Sequence, residues 1–304
     1  MTPVSISLGV VLPTPGGGDP NPDLTALARR AELAGADSLW VDDHLAQVEG
    51  ASSRYPFARD GQPTWPVAQP RWESLTALAF IAAATERCTI GTAVLILPQR
   101  HVVELAKTTA TLDVLSGGRL VLGCGVGWLA EEMEACGWPF ATRGRRADEM
   151  LDALRACWTG RPAGVAGDQV QLPEGLVLEP TPLQRPGPPL LVGGMSAAAL
   201  RRAAHRGDGW LAYVPEELLD FEGLRDQLAA VDHLRAEGPR GAEAFMRSLV
   251  FGMWPDSPGE LLDRLLELAQ LGFDELIVEP PWEDADACAD AIALIRAGLD
   301  GLDG

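Results

Sequence analysis

Short apolar segments alternate with amphipathic segments along the whole 304-residue chain. The apolar segments are rich in Val, Ile and Leu and are bounded by Gly, Pro or polar residues, which is typical of buried β-strands. The amphipathic segments place apolar residues at helical spacing. The pattern predicts eight strands, at residues 5–12, 38–41, 89–96, 120–124, 189–192, 209–213, 245–253 and 275–279.

Each predicted strand is followed by a predicted helix. These helices cover residues 22–34, 72–84, 103–115, 145–158, a segment beginning at 196, 216–236, 258–271 and 284–299. Eight strand–helix units favour an α/β fold of the (β/α)8 or TIM-barrel type over an open doubly wound sheet, which seldom sustains such a long alternation. Residues 159–188 are rich in Pro and Gly and predict an inserted loop or hairpin before the fifth strand. No linker divides the chain, so residues 1–304 are expected to form a single domain.

Charge and cysteine content exclude several classes of function. The formal net charge of −19 argues against binding to nucleic acids or anionic membranes, which require clustered basic residues. No apolar run is long enough to span a bilayer, and the N-terminal segment lacks the basic region of a signal peptide, so we expect a cytoplasmic protein. The five cysteines show no CxxC spacing, which argues against a metal site or a disulfide framework.

The fourth predicted strand ends in alternating glycines, within SGGRLVLGCGVGW. Gly123, Gly125 and Gly127 leave one side of the chain without Cβ atoms. Two interpretations are open: the backbone lies directly against a flat ligand, or it packs tightly against a neighbouring strand. The spacing GxGxG does not match the dinucleotide-binding pattern GxGxxG.

His44 is the leading candidate for acid–base chemistry. It follows Asp42 and Asp43 directly after the second strand, and barrel enzymes carry their active sites at the carboxyl ends of the strands. A neighbouring carboxylate can orient an imidazole ring for proton transfer. The alternative is a histidine that only ends a barrel strand. The long segment that follows, to about residue 71, contains Tyr55, Phe57 and Trp65 and predicts a lid or a wall of a pocket.

The segment Gly193-Gly194-Met195-Ser196 follows the fifth strand and begins a helix. Exposed backbone N–H groups at the positive end of a helix dipole suit a phosphate group. The alternative is an ordinary serine N-cap.

Four segments together resemble the bacterial-luciferase-like superfamily of flavin and deazaflavin enzymes. They are LAGADSLWVDDHL, TERCTIGTAVLILPQRH, the stretch from SGGRLVLGCGVGW to LRACW, and LLVGGMSAAALRRAAHRGDGW. The resemblance extends over essentially the whole chain. It implies a (β/α)8 barrel that binds a cofactor ring at the carboxyl ends of the strands. The Asp43-His44 pair is similar to the branch that uses coenzyme F420, whereas many oxygen-using flavin members have Glu-His-His there.

The resemblance also implies which residues form the site. The peptide bond between Ala93 and Val94 is expected to be cis. His44 is expected to be the catalytic residue, and the expected cofactor-binding residues are Asp43, Ala93, Val94, Gly125, Gly127, Gly193, Gly194, Met195 and Ser196. The chain departs from the sugar-phosphate dehydrogenases of the family, which have a catalytic glutamate where Val126 stands. An apolar organic substrate therefore fits better than a sugar phosphate.

Three functions are consistent with this sequence. The first is hydride transfer between F420 and a small, largely apolar organic substrate, with His44 as proton donor or acceptor. The second is an FMNH2-dependent monooxygenase that incorporates oxygen from O2. The third is a non-catalytic flavin- or deazaflavin-binding protein. The presence of His44 beside an acidic residue argues against this third function. The family resemblance also implies a homodimer.

Overall fold

The computed structural model describes residues 6–13, 22–252, 254 and 257–301. The strands are β1 (Ser7–Val11), β2 (Ser38–Val41), β3 (Thr89–Ile96), β4 (Leu120–Gly125), β5 (Val165–Ala166), β6 (Gln171–Leu172), β7 (Leu190–Gly193), β8 (Gly209–Pro215), β9 (Met246–Gly252) and β10 (Glu275–Val278). All except β5 and β6 form one closed parallel barrel, ordered β1, β2, β3, β4, β7, β8, β9 and β10 around the ring. The predicted TIM barrel is confirmed.

Helices surround the barrel. They are α1 (Leu24–Leu33), α2 (Ser74–Ala84), α3 (Val102–Leu115), α4 (Ala130–Ala135), α5 (Arg143–Trp158), α6 (Ala197–Arg206), α7 (Phe221–Glu237), α8 (Pro258–Ala269) and α9 (Ala285–Asp300). Short 3₁₀ helices occur at Leu97–Gln99, Phe140–Thr142 and Glu216–Leu218. The antiparallel pair β5 and β6 lies in the segment predicted to be an insertion, which confirms the hairpin alternative.

The predicted strand bounds agree with the structure to within two residues, apart from positions 5 and 253, which lie outside the described residues. The starts of α1, α2 and α5 differ from the predicted positions by two residues, and the start of α7 differs by five. The first helix begins at Leu24, because the Asp23 side chain accepts a hydrogen bond from the Ala26 N–H and caps it. The predicted helix at 216–236 is a 3₁₀ turn followed by α7, which Asp220 caps. The sequence pattern did not predict the six-residue helix α4.

The barrel interior is filled by side chains from alternate positions of the strands. Its apolar members are Trp40, Val121, Leu191, Leu211, Val250 and Ile277. A polar layer lies at the amino end, where the Ser38 and Ser248 hydroxyls donate to the buried carboxylate of Glu275. The Trp40 indole N–H in turn donates to the Ser38 hydroxyl over 2.7 Å. The amino end of the barrel interior thus contains a buried polar network, and by the general rule for such barrels a functional site is expected at the mouth, at the carboxyl ends of the strands.

Candidate active site

A buried glutamate holds His44 at the mouth of the barrel. The Nδ1 atom of His44 lies 2.7 Å from Oε2 of Glu132, on α4. The other carboxylate oxygen, Oε1, accepts the backbone N–H groups of Leu45, over 2.6 Å, and Ala46, over 3.0 Å. Glu132 is fully buried. Burial raises the pKa of Glu132, but the hydrogen bonds from His44 and Ala46 outweigh that effect and hold its pKa below the ordinary value.

This pairing corrects one expectation and fixes the chemistry of the ring. We expected one of the two acids next to His44 in the sequence to orient the imidazole, and the structure assigns that contact to Glu132 instead. With Nδ1 bound to a carboxylate, Nε2 is the nitrogen that can exchange a proton with a bound molecule. Within the described ranges, no residue hydrogen-bonds Nε2.

Asp43 connects the ends of two strands beneath the mouth. Its Oδ2 accepts the Ile96 N–H over 2.9 Å, and its Oδ1 accepts the Ser74 hydroxyl over 3.0 Å and an Arg100 guanidinium N–H over 2.6 Å. Burial raises the pKa of Asp43, whereas Arg100 and the Ile96 N–H lower it. The carboxylate is bonded within the protein, so any contribution that Asp43 makes to cofactor binding is indirect, through the positions of β2 and β3.

Ala93 and Val94 form the floor of the mouth. The peptide bond between them is cis, as predicted, and the pairing of β3 with β4 shifts register between Thr92 and Leu95. Both side chains are partly buried and pack on the apolar cluster inside the barrel. Ala93 and Val94 are on β3, which is paired with β2 in the barrel. His44 follows β2.

The glycines of β4 and β7 make room for this floor. A Cβ atom on Gly125 would lie 2.5 Å from Cγ2 of Val94, and one on Gly193 would lie 2.6 Å from Cγ1 of the same residue. Similarly, a Cβ on Gly127 would lie 2.8 Å from Cγ2 of Ile96. Of the two open interpretations, tight packing against a neighbouring strand is the one that the structure shows for Gly125 and Gly127. Gly125 and Gly127 therefore allow the chain at the end of β4 to pack closely against the strand that carries Ala93 and Val94.

The turn after β7 presents an exposed helix start. Ser196 caps α6, with its hydroxyl accepting the Ala199 N–H over 3.3 Å. Gly194 has a φ of +118°, a conformation that disfavours residues with side chains, and its carbonyl accepts the Trp210 indole N–H over 2.9 Å. Met195 lies between them, partly buried. The serine N-cap is confirmed, and it leaves the helix start accessible to an anionic group.

Four aromatic side chains form a wall beside His44. Trp65 and Trp128 lie 6.1 and 6.0 Å from its ring, between ring centres, and Tyr55 lies 5.0 Å from Trp65 and 5.3 Å from Trp128. Phe57 extends the wall to Tyr213 on β8, at 4.8 Å. The Trp65 indole N–H is buried and has no hydrogen-bond partner among the described residues. We call Tyr55, Phe57, Trp65 and Trp128 the aromatic wall.

Helix α4 also holds the chain just before Tyr55 and Phe57 of the aromatic wall. Glu131 accepts the backbone N–H of Ser52 over 2.7 Å and the hydroxyl of Ser53 over 2.7 Å. The hydrogen bond from the Ser53 hydroxyl is the main reason that the pKa of Glu131 is lowered, to about 2. Two consecutive glutamates therefore fix both His44 and the segment that carries Tyr55 and Phe57. Neither glutamate was identified from the sequence.

Two cavities lie away from the mouth. A cavity of about 690 Å³ is at the amino end of the barrel, with Arg155, Trp158, Asp208 and Met246 in its lining, and one of about 250 Å³ lies beside the start of α3. In the larger cavity, Arg155 is paired with Asp208 at 2.8 Å. The described part of the chain contains no cluster of His, Cys, Asp or Glu side chains suited to a metal ion. None of its helices has an apolar stretch that could cross a bilayer.

The family of the chain follows from comparison with known proteins. The family model described as "Luciferase-like monooxygenase" matches residues 6–252, which include every residue of the mouth named so far. The chain belongs to the luciferase-like monooxygenase family. This membership confirms the resemblance found in the sequence.

Relatives in this family use two kinds of cofactor. The chain is 30% identical over 193 residues to an F420-dependent glucose-6-phosphate dehydrogenase from Amycolatopsis mediterranei, a match of 62% of this chain and 52% of the relative. It is 34% identical over 175 residues to an FMNH2-dependent dimethylsulfone monooxygenase from Pseudomonas putida, covering 57% and 46% of the two chains. A more similar protein from Mycobacterium bovis, 37% identical, is uncharacterized, and the match covers 61% of this chain and 63% of that protein.

A solved structure shows the same fold over nearly the full length. An F420-dependent secondary alcohol dehydrogenase in complex with an F420-acetone adduct superposes with a TM-score of 0.78. The superposition covers 97% of this chain and 99% of that chain, at 16% sequence identity. At this identity the likeness supports the shared fold.

The role of Glu132 can be tested through stability. Glu132→Ala leaves the N–H groups of Leu45 and Ala46 and the His44 ring without their acceptor, so it should lower the free energy of unfolding by about 1–3 kcal/mol at neutral pH. Because the pKa of Glu132 is lowered by folding, its contribution is present above the ordinary value of 4.5 and is lost as the pH falls through the lower folded value. Urea denaturation of both proteins between pH 7 and about 3 measures this difference.

Glu131→Ala is the matched control, since it removes the neighbouring carboxylate of the same helix. It should loosen the attachment at Ser52 and Ser53 with a smaller loss of stability than Glu132→Ala causes. Equal stability losses in the two variants, or a Glu132→Ala effect that persists unchanged at low pH, would contradict the assigned role of Glu132.

Proposed function

We propose that this chain is an oxidoreductase that transfers a hydride between coenzyme F420 and a small, largely apolar organic substrate. The observation that carries the proposal is the oriented His44 ring, which is bound to Glu132, bordered by Trp65 and Trp128, and follows the strand next to the one that carries Ala93 and Val94. The Asp43-His44 pair, which resembles the F420-using branch, and the F420-dependent relatives favour this cofactor.

The residues present fit a deazaflavin. A flat ring can lie against Ala93 and Val94, and the exposed helix start at Gly194 to Ser196 can bind a phosphate of its tail. The buried Trp65 indole N–H, which lacks a protein partner among the described residues, is a donor for a molecule bound in the mouth. When bound, the deazaflavin supplies a carbon that gives or accepts a hydride.

His44 handles the proton that accompanies the hydride. When a substrate hydroxyl is oxidised to a carbonyl, its carbon loses the hydride and its oxygen loses a proton, which Nε2 of His44 accepts. The ring is then a cation, and the Glu132 carboxylate at Nδ1 stabilises it. In the reverse direction, Nε2 returns the proton to the oxygen. The aromatic wall excludes water from the reacting groups, which strengthens each of these electrostatic interactions.

The mouth favours an apolar substrate. The aromatic wall and the apolar floor are the groups that we expect the body of a substrate to contact, and Val126 occupies the position where the sugar-phosphate dehydrogenases of the family have a glutamate. Apolar side chains there bind a hydrocarbon skeleton by excluding water, and they offer nothing to a sugar's many hydroxyls.

A monooxygenase that uses reduced FMN is the second candidate, because the Pseudomonas putida relative is one. Titration of the purified protein with F420 and, separately, with FMN distinguishes the two cofactors. We expect F420 to bind at least about tenfold more tightly, a difference of about 1.4 kcal/mol, when binding is followed by cofactor fluorescence. Tighter binding of FMN, together with O2 consumption by the reduced complex, would favour the monooxygenase. If neither cofactor binds, the proposed function is wrong.

His44→Ala tests the proton-transfer role. The variant should lower turnover with F420 by roughly a hundred- to ten-thousand-fold, the usual range for loss of a positioned acid or base. The dissociation constant for F420 should change far less, because the floor and the helix start supply most of the binding surface.

Steady-state kinetics with F420 and a panel of cyclic alcohols and ketones measures turnover, and fluorescence titration measures cofactor affinity. His44→Gln keeps most of the ring's volume and is the control for packing. Unchanged turnover in both variants would remove His44 from the mechanism.

A further inference from the structure

Glu279 and Tyr213 form a second polar group inside the mouth. Glu279 directly follows β10, Tyr213 is on β8, and the two side chains approach each other over Gly252 on β9. A Cβ atom on Gly252 would lie 2.9 Å from Oε2 of Glu279 and 3.0 Å from the Tyr213 hydroxyl. The Glu279 carboxylate and the Tyr213 hydroxyl therefore lie beside the same glycine. The absence of a side chain at Gly252 is thus what allows the pair to form.

Tyr213 connects this carboxyl to the aromatic wall. Phe57 lies 4.8 Å from the Tyr213 ring and 5.6 Å from Tyr55, between ring centres. The titratable groups facing the pair are Tyr55 and, at longer range, Glu217 after β8. Burial raises the pKa of Glu279 to about 7, and the hydrogen bond from Tyr213 opposes this rise.

Glu279 differs from three buried carboxylates of the barrel in its partners. Asp43 is paired with Arg100 at 2.6 Å, and Glu132 with His44 at 2.7 Å. Glu275 lacks a cation, but serine hydroxyls bind both of its oxygens at the closed end of the barrel. Among the described residues, no arginine, lysine or histidine forms an ion pair with Glu279, which lies at the open end.

We propose that Glu279 binds a cationic head group of the substrate, a protonated amine carried on an otherwise apolar molecule. A carboxylate attracts an alkylammonium ion directly, and the negative faces of aromatic rings close to it add to that attraction. The net charge of −19 favours the approach of cations over anions. The inference rests on the proposed function in one respect, that the mouth is the substrate site. It adds the class of substrate and a specificity-determining residue.

Binding of simple probes to the protein without cofactor tests this inference. The probes are 2-phenylethylamine, 2-phenylethanol and 3-phenylpropanoate, which share an apolar body and differ in the charge of the head group. Isothermal titration calorimetry measures their affinities. At pH 8 the amine should bind at least about tenfold more tightly than either of the other two probes. Its affinity should fall roughly tenfold from pH 8 to pH 6, because a carboxyl with a pKa of about 7 is mostly ionised at the first pH and mostly protonated at the second.

Three variants identify the group responsible. Glu279→Gln should lower the amine affinity at pH 8 by about tenfold or more and abolish its pH dependence, with 2-phenylethanol affected less than about twofold. Glu275→Gln makes the same change at the start of β10, at the amino end of the barrel, and it should leave all three affinities unchanged. Tyr213→Phe removes a hydrogen bond that favours the ionised carboxyl, so the pH profile for the amine should move to higher pH. Thermal melting confirms that each variant is folded.

The proposal is overturned if wild-type protein binds the amine and 3-phenylpropanoate equally, or if Glu279→Gln keeps the preference for the amine. It is also overturned if 2-phenylethanol binds as tightly as the amine and loses as much affinity in Glu279→Gln, since the head group recognised would then be a neutral donor. These measurements contain no cofactor. A failure to bind F420 would therefore count against the proposed function and leave the assignment of the amine site to be decided by the probes.

Discussion

The mouth of this barrel depends on one buried carboxylate. Glu132 binds the His44 ring and the two N–H groups that follow it, although 88 positions separate the two residues in the chain. The catalytic candidate after β2 is therefore oriented by a short helix that follows β4. Because the neighbouring Glu131 binds Ser52 and Ser53, the same helix also positions the segment carrying the aromatic wall. The role proposed for His44 in proton transfer and the role proposed for the aromatic wall in excluding water thus both depend on α4.

A second set of contacts fixes the floor of the site, and Asp43 links this set to His44. Val94 fits at the mouth because Gly125 and Gly193 have no side chains on the two strands beyond it. Asp43, the residue before His44, accepts the N–H of Ile96 at the end of β3 and so links the floor strand to the histidine. Displacement of either strand would change the distance between His44 and a ring lying on Ala93 and Val94. We infer that the buried ion pair of Asp43 with Arg100 serves this geometry more than it serves stability.

The strands were predictable because each is buried on both faces and is bounded by turn residues, so local composition determines it. The cis peptide at Ala93–Val94 followed from the family resemblance and could not have been inferred from periodicity. Glu132 was missed because nothing in the local pattern of two consecutive glutamates shows that one of them binds a histidine on another strand. The glycines of β4 were ambiguous, since only the register with β3 decides whether Val94 or a ligand lies against them. The cytoplasmic location and the homodimer remain predictions.

A crystal structure of the protein with F420 would test the central claim most directly. Our account predicts that the deazaflavin ring lies against Ala93 and Val94, with Nε2 of His44 facing the substrate side of the ring and a phosphate of the tail near the start of α6. Binding of the ring elsewhere, such as in the cavity beside Arg155 and Trp158 at the amino end of the barrel, would contradict it. So would a ring in the mouth with His44 turned away from it and its bond to Glu132 broken.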